Sequence, residues 1–205
     1  MDPIRHAILS ARRRGGAPED YLALHAFFDT TKELCSDNRH RLLHNLWAVR
    51  RVVIPIFGAT LPTSAGTVPT KDVCEHDHVL ADFSGRYLPT LADFASAIEP
   101  APNEESRFAE ISAPYEADER ELLRSPYAVT GRVESLLVTH NTWFLSEILP
   151  RIFPRRTRPP FARGVAPSEI FARMRFELWM DNGAAPPPSA PTRIYEADHV
   201  EIRDS

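Results

Sequence analysis

Lysine is scarce in this chain of 205 residues, and long apolar runs are missing from it. Only Lys32 and Lys71 stand among its 24 basic residues, a bias that a GC-rich genome explains most simply. The formal net charge is −4, so no overall basic field marks the chain for nucleic acid or an anionic membrane. No stretch reaches the ~20 consecutive apolar residues of a transmembrane helix, and we do not expect a membrane among its partners.

A secretory signal is also missing, because charged residues interrupt the first 25 positions and leave no apolar core there. We therefore expect a cytoplasmic protein. Its two cysteines, Cys35 and Cys74, fit a compartment in which thiols stay reduced. Free, buried thiols are the preferred interpretation, although the sequence leaves a disulfide between them open. Gly-rich phosphate loops, Cys-x-x-Cys pairs and Gly-x-Ser-x-Gly elbows are all absent from the sequence, so it gives no support to the chemistry of those motifs.

Proline and histidine are distributed unequally along the chain. Prolines concentrate between Pro150 and Pro191, whereas six of the eight histidines lie at or before His78. The share of hydrophobic residues, 43%, is that of a globular protein. We predict four parts: a His-rich helical domain over 1–98, a linker over 99–106, a helical extension with an Arg/Pro-rich arm over 107–183, and a proline-rich linker and C-terminal tail over 184–205.

Helical spacing of apolar residues dominates the chain and predicts a mainly α fold. We expect a helical bundle with a small β-hairpin insertion, followed by a helical, proline-rich C-terminal extension. The first helix is predicted over 2–14 with Ile4, Ile8 and Ala11 on its apolar stripe, and turn residues predict the hairpin over 59–70. Further helices are predicted over 17–35, 37–53 (stopped by Pro55 and Gly58), 71–83, 89–98, 129–148 and 168–180, with one strand over 193–195.

Three polar pairs in the first domain recur at a spacing of four residues. Side chains at this spacing lie above one another on a helix face. Imidazoles and carboxylates that converge from three helices are typical of a metal centre in a helical bundle. The sequence therefore predicts a divalent metal ion, Zn, Mn or Fe, bound by the three pairs: His25 with Asp29, His40 with His44, and His78 with Asp82.

The leading hypothesis is a metal-dependent hydrolase that acts on a phosphoester or nucleotide. The ion would lower the pKa of a bound water, with His44 in the catalytic set and Arg39 or Lys32 holding the substrate anion. The dyad His76-Asp77 is similar to that of the metal-dependent phosphohydrolases named for such a dyad, but no following sequence supports the match. A simpler interpretation remains open, in which the paired residues only hydrogen-bond one another and cap helices.

Two further functions compete with the hydrolase. Arg39 and His44 fit the Arg-x4-His pattern of HEPN-type ribonucleases, in which histidine moves a proton and arginine holds the phosphate without a metal. Alternatively, the chain is a non-catalytic partner-binding module of a mobile-element or defence system. The arm over 150–163 would then bind a protein partner or nucleic acid, unless it is an extended arm over the acidic stretch 104–121. A homodimer is left open.

A specific set of motifs runs through residues 1–97. It begins with Gly15-Gly16-Ala17-Pro18-Glu19-Asp20-Tyr21-Leu22 and ends with Pro89-Thr90-Leu91-Ala92-Asp93-Phe94. These motifs resemble a bacterial and phage-borne, His-rich helical domain family of unknown function, so the resemblance implies no activity. His76 and Asp77 fall outside the family's pattern, and the C-terminal half departs from it. The resemblance implies that the pattern includes His25, Asp29, Lys32, Arg39, His40, His44, His78 and Asp82.

Overall fold

The computed structural model describes residues 1–157 and 163–189, and these form a mainly helical fold. The predicted fold class is therefore confirmed, including the hairpin insertion. Among the described residues, no helix is both long and apolar enough to cross a membrane. Cys35 and Cys74 are buried free thiols, as predicted. The strand predicted over 193–195 and part of the predicted 150–163 arm lie outside the described residues.

The first half of the chain contains five helices, two 3-10 segments and the hairpin in its described residues. The hairpin is antiparallel and pairs Thr60 with Pro69 and Thr63 with Gly66. In chain order the elements are α1 (Pro3–Arg14), α2 (Glu19–Phe28), the 3-10 segments Asp29–Glu33 and Asn38–Leu43, α3 (46–57), β1 (Thr60–Thr63), β2 (Gly66–Pro69), α4 (70–82) and α5 (Leu91–Ala97).

The second half continues with helices that pack on the first. Its elements are α6 (Glu104–Ser112), α7 (Ala117–Thr130), the 3-10 segment Val133–Val138, α8 (144–152), α9 (Pro167–Arg173) and the 3-10 segment Leu178–Met180.

The inward face of α1 is polar, which reverses the prediction of an apolar stripe. Ile4 and Ile8 are 61% and 37% exposed, whereas His6 and Ser10 are fully buried. His6, Ser10 and Arg14 are spaced by four residues and therefore share one face. This face lies against α4, where buried polar groups supply the partners that its side chains require.

The helix predicted over 37–53 is interrupted at His44. The backbone of His44 leaves the helical region at φ −83° and ψ 58°, and the Asn45 side chain begins α3 by accepting a hydrogen bond from the Ala48 N–H. His40 and His44 therefore do not share a helix face. Gly58 ends α3 as predicted, whereas Pro55 lies inside the helix and does not stop it.

Two helices widen into a π-helical stretch directly before a proline. Val49–Val53 precede Pro55 in α3, and Phe144–Ile148 precede Pro150 in α8. Proline lacks an N–H, and its ring collides with the carbonyl four residues earlier in an α-helix. A wider turn moves that carbonyl aside, and the helix continues through the proline.

The predicted boundaries in the second half also differ from the structure. The helix predicted over 129–148 is broken at Asn141, whose side chain accepts a hydrogen bond from the Phe144 N–H at 2.9 Å and so caps α8. The helix predicted over 168–180 ends at Arg173. The predicted linker over 99–106 includes the first turn of α6.

One continuous hydrophobic core joins the two halves. Phe28 and Phe94 of the first half belong to the same buried cluster as Phe108, Phe144 and Met180 of the second. The side chains of Arg39, Arg41 and Trp47 cross the same boundary by hydrogen bonds. These bonds end at Phe171, Met174, Met180, Asn182 and Ser125.

Candidate metal centre

The predicted ligands lie together in one buried cluster, joined by one further histidine from α1. Each residue of the cluster is 9% exposed or less. Helices α1, α2 and α4 and the two 3-10 segments between α2 and α3 all contribute. The cluster contains His6, His25, Asp29, His40, His44, His78 and Asp82.

His78 is the central ring of the cluster. It stacks on Phe28 with ring centroids 4.3 Å apart and on His6 at 4.0 Å. Its Nδ1 lies 3.0 Å from Nδ1 of His25, and its Nε2 lies 3.0 Å from Nε2 of His44. His78 belongs to the π-helical stretch Val73–Val79, a rare conformation that is found mainly at functional sites.

Asp82 supplies one carboxylate oxygen to each side of the cluster. Its Oδ1 lies 3.0 Å from His6 Nε2 and also contacts the Met1 amine, while its Oδ2 lies 3.1 Å from His44 Nε2. Burial alone would raise the pKa of Asp82, but hydrogen bonds from His44 and His6 lower it well below its usual range. Asp82 is therefore an ionised carboxylate among imidazoles.

Asp29 turns away from His25, which corrects the predicted pairing of these residues. Helix α2 ends at Phe28, so the Asp29 carboxylate faces the second 3-10 segment. Its Oδ1 lies 3.8 Å from His40 Nε2 and 3.9 Å from His44 Nε2, and it is buried without a hydrogen-bond partner. His40 and His44, which both precede the break in the helix, thus reach Asp29, although the two imidazoles are nearly perpendicular.

Lys32 marks one exposed edge of the cluster, and Met1, beside Asp82, marks another. Its ammonium lies 2.8 Å from Oδ2 of Asp29, and its side chain is 43% exposed. His40 and Asp29 are the two ligand candidates nearest this edge, at 7% and 9% exposed. A small anion that approached the cluster at the Lys32 edge would meet Lys32 first.

Burial favours the neutral form of four imidazoles in the cluster, those of His25, His40, His44 and His78. It lowers the pKa of His25 to about 3 and that of His40 to about 4. Burial also lowers the pKa of His44, and that of His78 falls well below its ordinary value because of burial and the neighbouring His44 and His6 rings. Neutral imidazole nitrogens have the lone pairs with which histidine binds metal ions.

In the described part of the chain, Arg39 does not contact the other predicted site residues and forms its hydrogen bonds elsewhere. Its guanidinium forms a multiple hydrogen bond with the Asp37 carboxylate. Its Nη1 also donates to the carbonyls of Phe171 at 2.6 Å and Met174 at 3.0 Å. These partners use donors with which Arg39 would hold a phosphate, and the metal-independent ribonuclease stays a prediction.

Sequence reasoning missed His6, Ser10 and Arg41. The spacing of His6, Ser10 and Arg14 on α1 was the signal that could have found the first two. Arg41 is buried beside Asp82, with Nε 3.9 Å from Oδ2, and donates to the Met180 carbonyl at 3.0 Å. No sequence pattern predicts the contact between Arg41 and Met180, because these residues lie in different halves of the chain.

The His76-Asp77 dyad is split between surface and interior. His76 is exposed, whereas Asp77 is fully buried and forms ion pairs with Arg13 and Arg14. The two side chains therefore do not act as one metal-binding dyad. Asp77 instead accepts a hydrogen bond from Ser10, at 3.3 Å.

Two groups in the cluster have the spacing of a metal-binding site among the described residues. In each, the ligand atoms lie within 4.8 Å of one another. Ligand atoms at ~2.0–2.2 Å from one ion lie ~3 Å or slightly more apart. Nε2 of His78 and Nε2 of His44, 3.0 Å apart, have this separation, whereas Oδ1 of Asp29 lies farther away, at 3.9 Å from His44 Nε2. Mixed nitrogen and oxygen ligands suit Zn, Mn or Fe. The groups are Asp29, His44 and His78, and His6, His25 and His78.

Comparison with known proteins places the cluster within one family. A family model described as Domain of unknown function (DUF6915) matches residues 1–103. The match extends slightly beyond the predicted 1–97, includes every residue of the cluster and ends before α6. No curated protein and no solved structure matches the chain. Because the family model covers half of the chain, this protein belongs to the DUF6915 family.

Proposed function

We propose that the protein is a metal-dependent phosphoesterase with its ion bound by Asp29, His44 and His78, and with His40 and Asp82 beside it. The observation that carries this proposal is Oδ1 of Asp29, a buried carboxylate oxygen without a hydrogen-bond partner that faces two imidazole nitrogens. An unsatisfied buried carboxylate oxygen is costly. A divalent cation would supply the missing interaction.

A purely hydrogen-bonded cluster explains less of the geometry. Hydrogen bonds account for the contacts that His78 makes with His25 and His44, and for those that Asp82 makes with His6 and His44. They leave Oδ1 of Asp29 and Nδ1 of His44 without partners. The Asp29 side of the cluster is therefore where a ligand is needed.

The proposed chemistry assigns separate tasks to the residues of this edge. A bound divalent ion lowers the pKa of its water from ~16 towards ~7 and so supplies a nucleophile at neutral pH. His40 is oriented by its Nδ1, which donates to the Asp37 carbonyl at 2.6 Å, so its Nε2 is directed at the Asp29 side. Lys32 would exchange its ion pair with Asp29 for the substrate phosphate.

Metal content is the first test. Protein without an N-terminal tag is required, because the Met1 amine contacts Asp82. We expect one equivalent of Zn, Mn or Fe after loading and dialysis, and a large loss in Asp29→Asn. His76→Ala is the matched control, since His76 is an exposed histidine on the same helix as His78. Content well below one equivalent, with no gain on adding these ions, would overturn the proposal.

Hydrolysis of p-nitrophenyl phosphate and bis(p-nitrophenyl) phosphate tests the activity. We expect EDTA to abolish turnover and Lys32→Met to raise KM about tenfold with little change in kcat, because a charge-assisted contact is worth ~1.5 kcal/mol. Lys71→Met is the matched control: Lys71 is equally exposed and pairs with Glu75 at 2.9 Å. Activity on RNA that survives EDTA and disappears in His44→Ala would instead favour a metal-independent ribonuclease.

A further inference from the structure

A buried chain of hydrogen bonds connects the carboxylates of Asp77 and Asp82. Ser10 Oγ lies 3.3 Å from Asp77 Oδ2 and 2.9 Å from His25 Nε2. The chain continues through His25 and His78 by the Nδ1 pair at 3.0 Å, and through His78 and His44 by the Nε2 pair at 3.0 Å. His44 Nε2 then lies 3.1 Å from Asp82 Oδ2. In order, the chain of hydrogen bonds runs through Asp77, Ser10, His25, His78, His44 and Asp82.

At the Asp77 end of the hydrogen-bond chain, the contacts determine which group donates and which accepts. Arg13 and Arg14 both donate to the Asp77 carboxylate, so this group is ionised and its oxygens only accept. Ser10 must therefore donate its hydroxyl proton to Asp77. The Ser10 oxygen is then the acceptor for His25, and Nε2 of His25 carries a proton.

The direction of hydrogen-bond donation at Ser10 also determines which nitrogens of His25 and His78 carry protons. A neutral imidazole has one N–H and one lone pair, so His25 with its proton on Nε2 presents a lone pair at Nδ1. Nδ1 of His78 faces that lone pair and must donate to it. Nε2 of His78 is consequently left with the lone pair.

The Asp82 end favours the same direction, although it does not impose it alone. With the chain reversed, His78 would donate from Nε2, and the lone pair of His44 Nε2 would face the ionised Asp82 oxygen at 3.1 Å. It would also place the His44 proton on Nδ1, which has no partner among the described residues. Both ends of the chain therefore favour one arrangement of protons.

We propose that Ser10 and His25 are positioning residues that hold His78 in the tautomer with its proton on Nδ1, so that Nε2 is the nitrogen offered to a metal ion. This choice selects between the two groups of the cluster. An ion bound through His78 Nε2 lies with Asp29 and His44, not with His6. His44 would offer its own Nε2 to that ion after its proton had moved to Nδ1, the nitrogen without a partner among the described residues. The selection of the ion's position rests on the proposed metal centre, whereas the tautomer of His78 does not.

Long-range ¹H–¹⁵N correlation spectra of ¹⁵N-histidine-labelled, metal-free protein test the tautomer directly. We expect Nε2 of His78 at the shift of an unprotonated nitrogen and Nδ1 at that of a protonated one. In Ser10→Ala the two tautomers should mix, and Ser10→Thr, which keeps the hydroxyl, should restore the first. Ser112→Ala is the control, because Ser112 is a buried serine that donates to the Phe108 carbonyl far from the chain.

Ion affinity, measured by competition with a chelator, supplies the second readout. Loss of an outer hydrogen-bond partner typically weakens metal binding ~10–100-fold, so we expect that range for Ser10→Ala and no change for Ser112→Ala. A His78 proton found on Nε2 in the unsubstituted protein overturns the inference, whether or not an ion binds. If no ion binds but His78 is protonated on Nδ1 and Ser10→Ala mixes the tautomers, the positioning role stands and only the metal centre fails.

Discussion

At the scale of single residues, Asp29 has an incompletely satisfied carboxylate, as Glu75 has beside Lys71. Lys32 neutralises one of its oxygens from the surface, while the other is buried and partnerless. Such a residue lowers the stability of the protein for as long as its ligand is absent. A substitution that removes the unpaired Asp29 oxygen should therefore weaken metal binding without lowering the stability of the metal-free protein.

We predict that Asp29→Asn leaves the free energy of unfolding of EDTA-treated protein unchanged or raises it by up to ~1 kcal/mol. The same variant should lose the stabilisation by added Zn or Mn, which at 100 times Kd amounts to ~2.7 kcal/mol. Urea unfolding with and without the ion measures both quantities. A destabilised metal-free variant would mean that Asp29 has an ordinary structural role.

His140 allows a test of pH dependence outside the metal centre. Its Nδ1 donates to the Leu136 carbonyl, and burial, with a further contribution from Arg124, lowers the pKa of His140 from 6.5 to about 4. Between pH 6.5 and 4, His140 is therefore protonated in the unfolded chain but stays neutral in the folded chain. Stability from this residue is complete above pH 6.5 and is lost as the pH falls towards 4.

We predict that His140→Asn, whose amide nitrogen replaces Nδ1 as the donor, removes this loss. The unsubstituted protein should lose ~3 kcal/mol more than the variant between pH 6.5 and 4, in addition to the loss that both share. Urea midpoints at several pH values provide the comparison. Parallel curves for the two proteins would contradict the assignment.

The sequence could predict which residues form the site more readily than how they meet. The spacing of His78 and Asp82 placed both on one helix, as observed at 4.0 Å. His40 and His44 meet Asp29 only because the helix breaks between them and α3. Arg39 matched a short catalytic pattern, but its guanidinium is held by the nearby Asp37 and by carbonyls more than 130 residues away. No local pattern contains the contacts with those distant carbonyls.

At the scale of the elements, two asparagines determine where helices begin. Asn45 and Asn141 each accept a hydrogen bond from the backbone N–H three residues later, and each donates from its amide to an earlier carbonyl. Each also follows a buried histidine, His44 or His140, which the sequence had placed inside a longer helix. Asparagine is a strong N-cap because its side chain replaces a backbone partner. The apolar spacing continued through both breaks, so periodicity alone could not locate them.

We predict that Asn45→Ala destabilises the protein by ~2 kcal/mol, since it removes an N-cap and a buried donor together. Asn45→Ser, which keeps the cap, should lose about half as much. Asn38→Ala is the control, because the bond from Asn38 to Asp181 is exposed. Chemical denaturation ranks the three variants, and equal effects for all of them would show that the cap at Asn45 has no special importance.

At the scale of the whole molecule, the family match and the folding unit have different boundaries. The match ends at residue 103, yet Trp47 donates to Ser125 at 2.9 Å, and Tyr87 donates its hydroxyl proton to carbonyls at Trp179 and Ala185. Arg156 also pairs with Asp118, within the acidic stretch named for the arm. The composition predicted a His-rich half and a Pro-rich half as separate parts of the chain. It could not reveal that both share one core, because packing between distant segments leaves no periodic signal.

We predict a single cooperative unfolding transition for the full chain. Tryptophan fluorescence and far-UV circular dichroism should give superimposable urea curves, because no separate core is left to unfold alone. Trp47→Phe should shift both curves to lower urea together. Two resolved steps would instead support independent domains over 1–98 and 107–183.

The complete burial of His44 and His78 also has a kinetic meaning. We expect an ion to reach them when the segment Asn38–Leu43, fastened to the second half by Arg39 and Arg41, moves outward. We therefore expect the rate of ion loss to level off as chelator is added, at the rate of that opening, and to rise in Arg39→Ala. A rate that stays proportional to chelator would show direct access. If this opening is slow, the protein would retain the ion that it bound while it folded. The metal present during folding would then decide which ion is bound, as much as the relative affinities of the ions do.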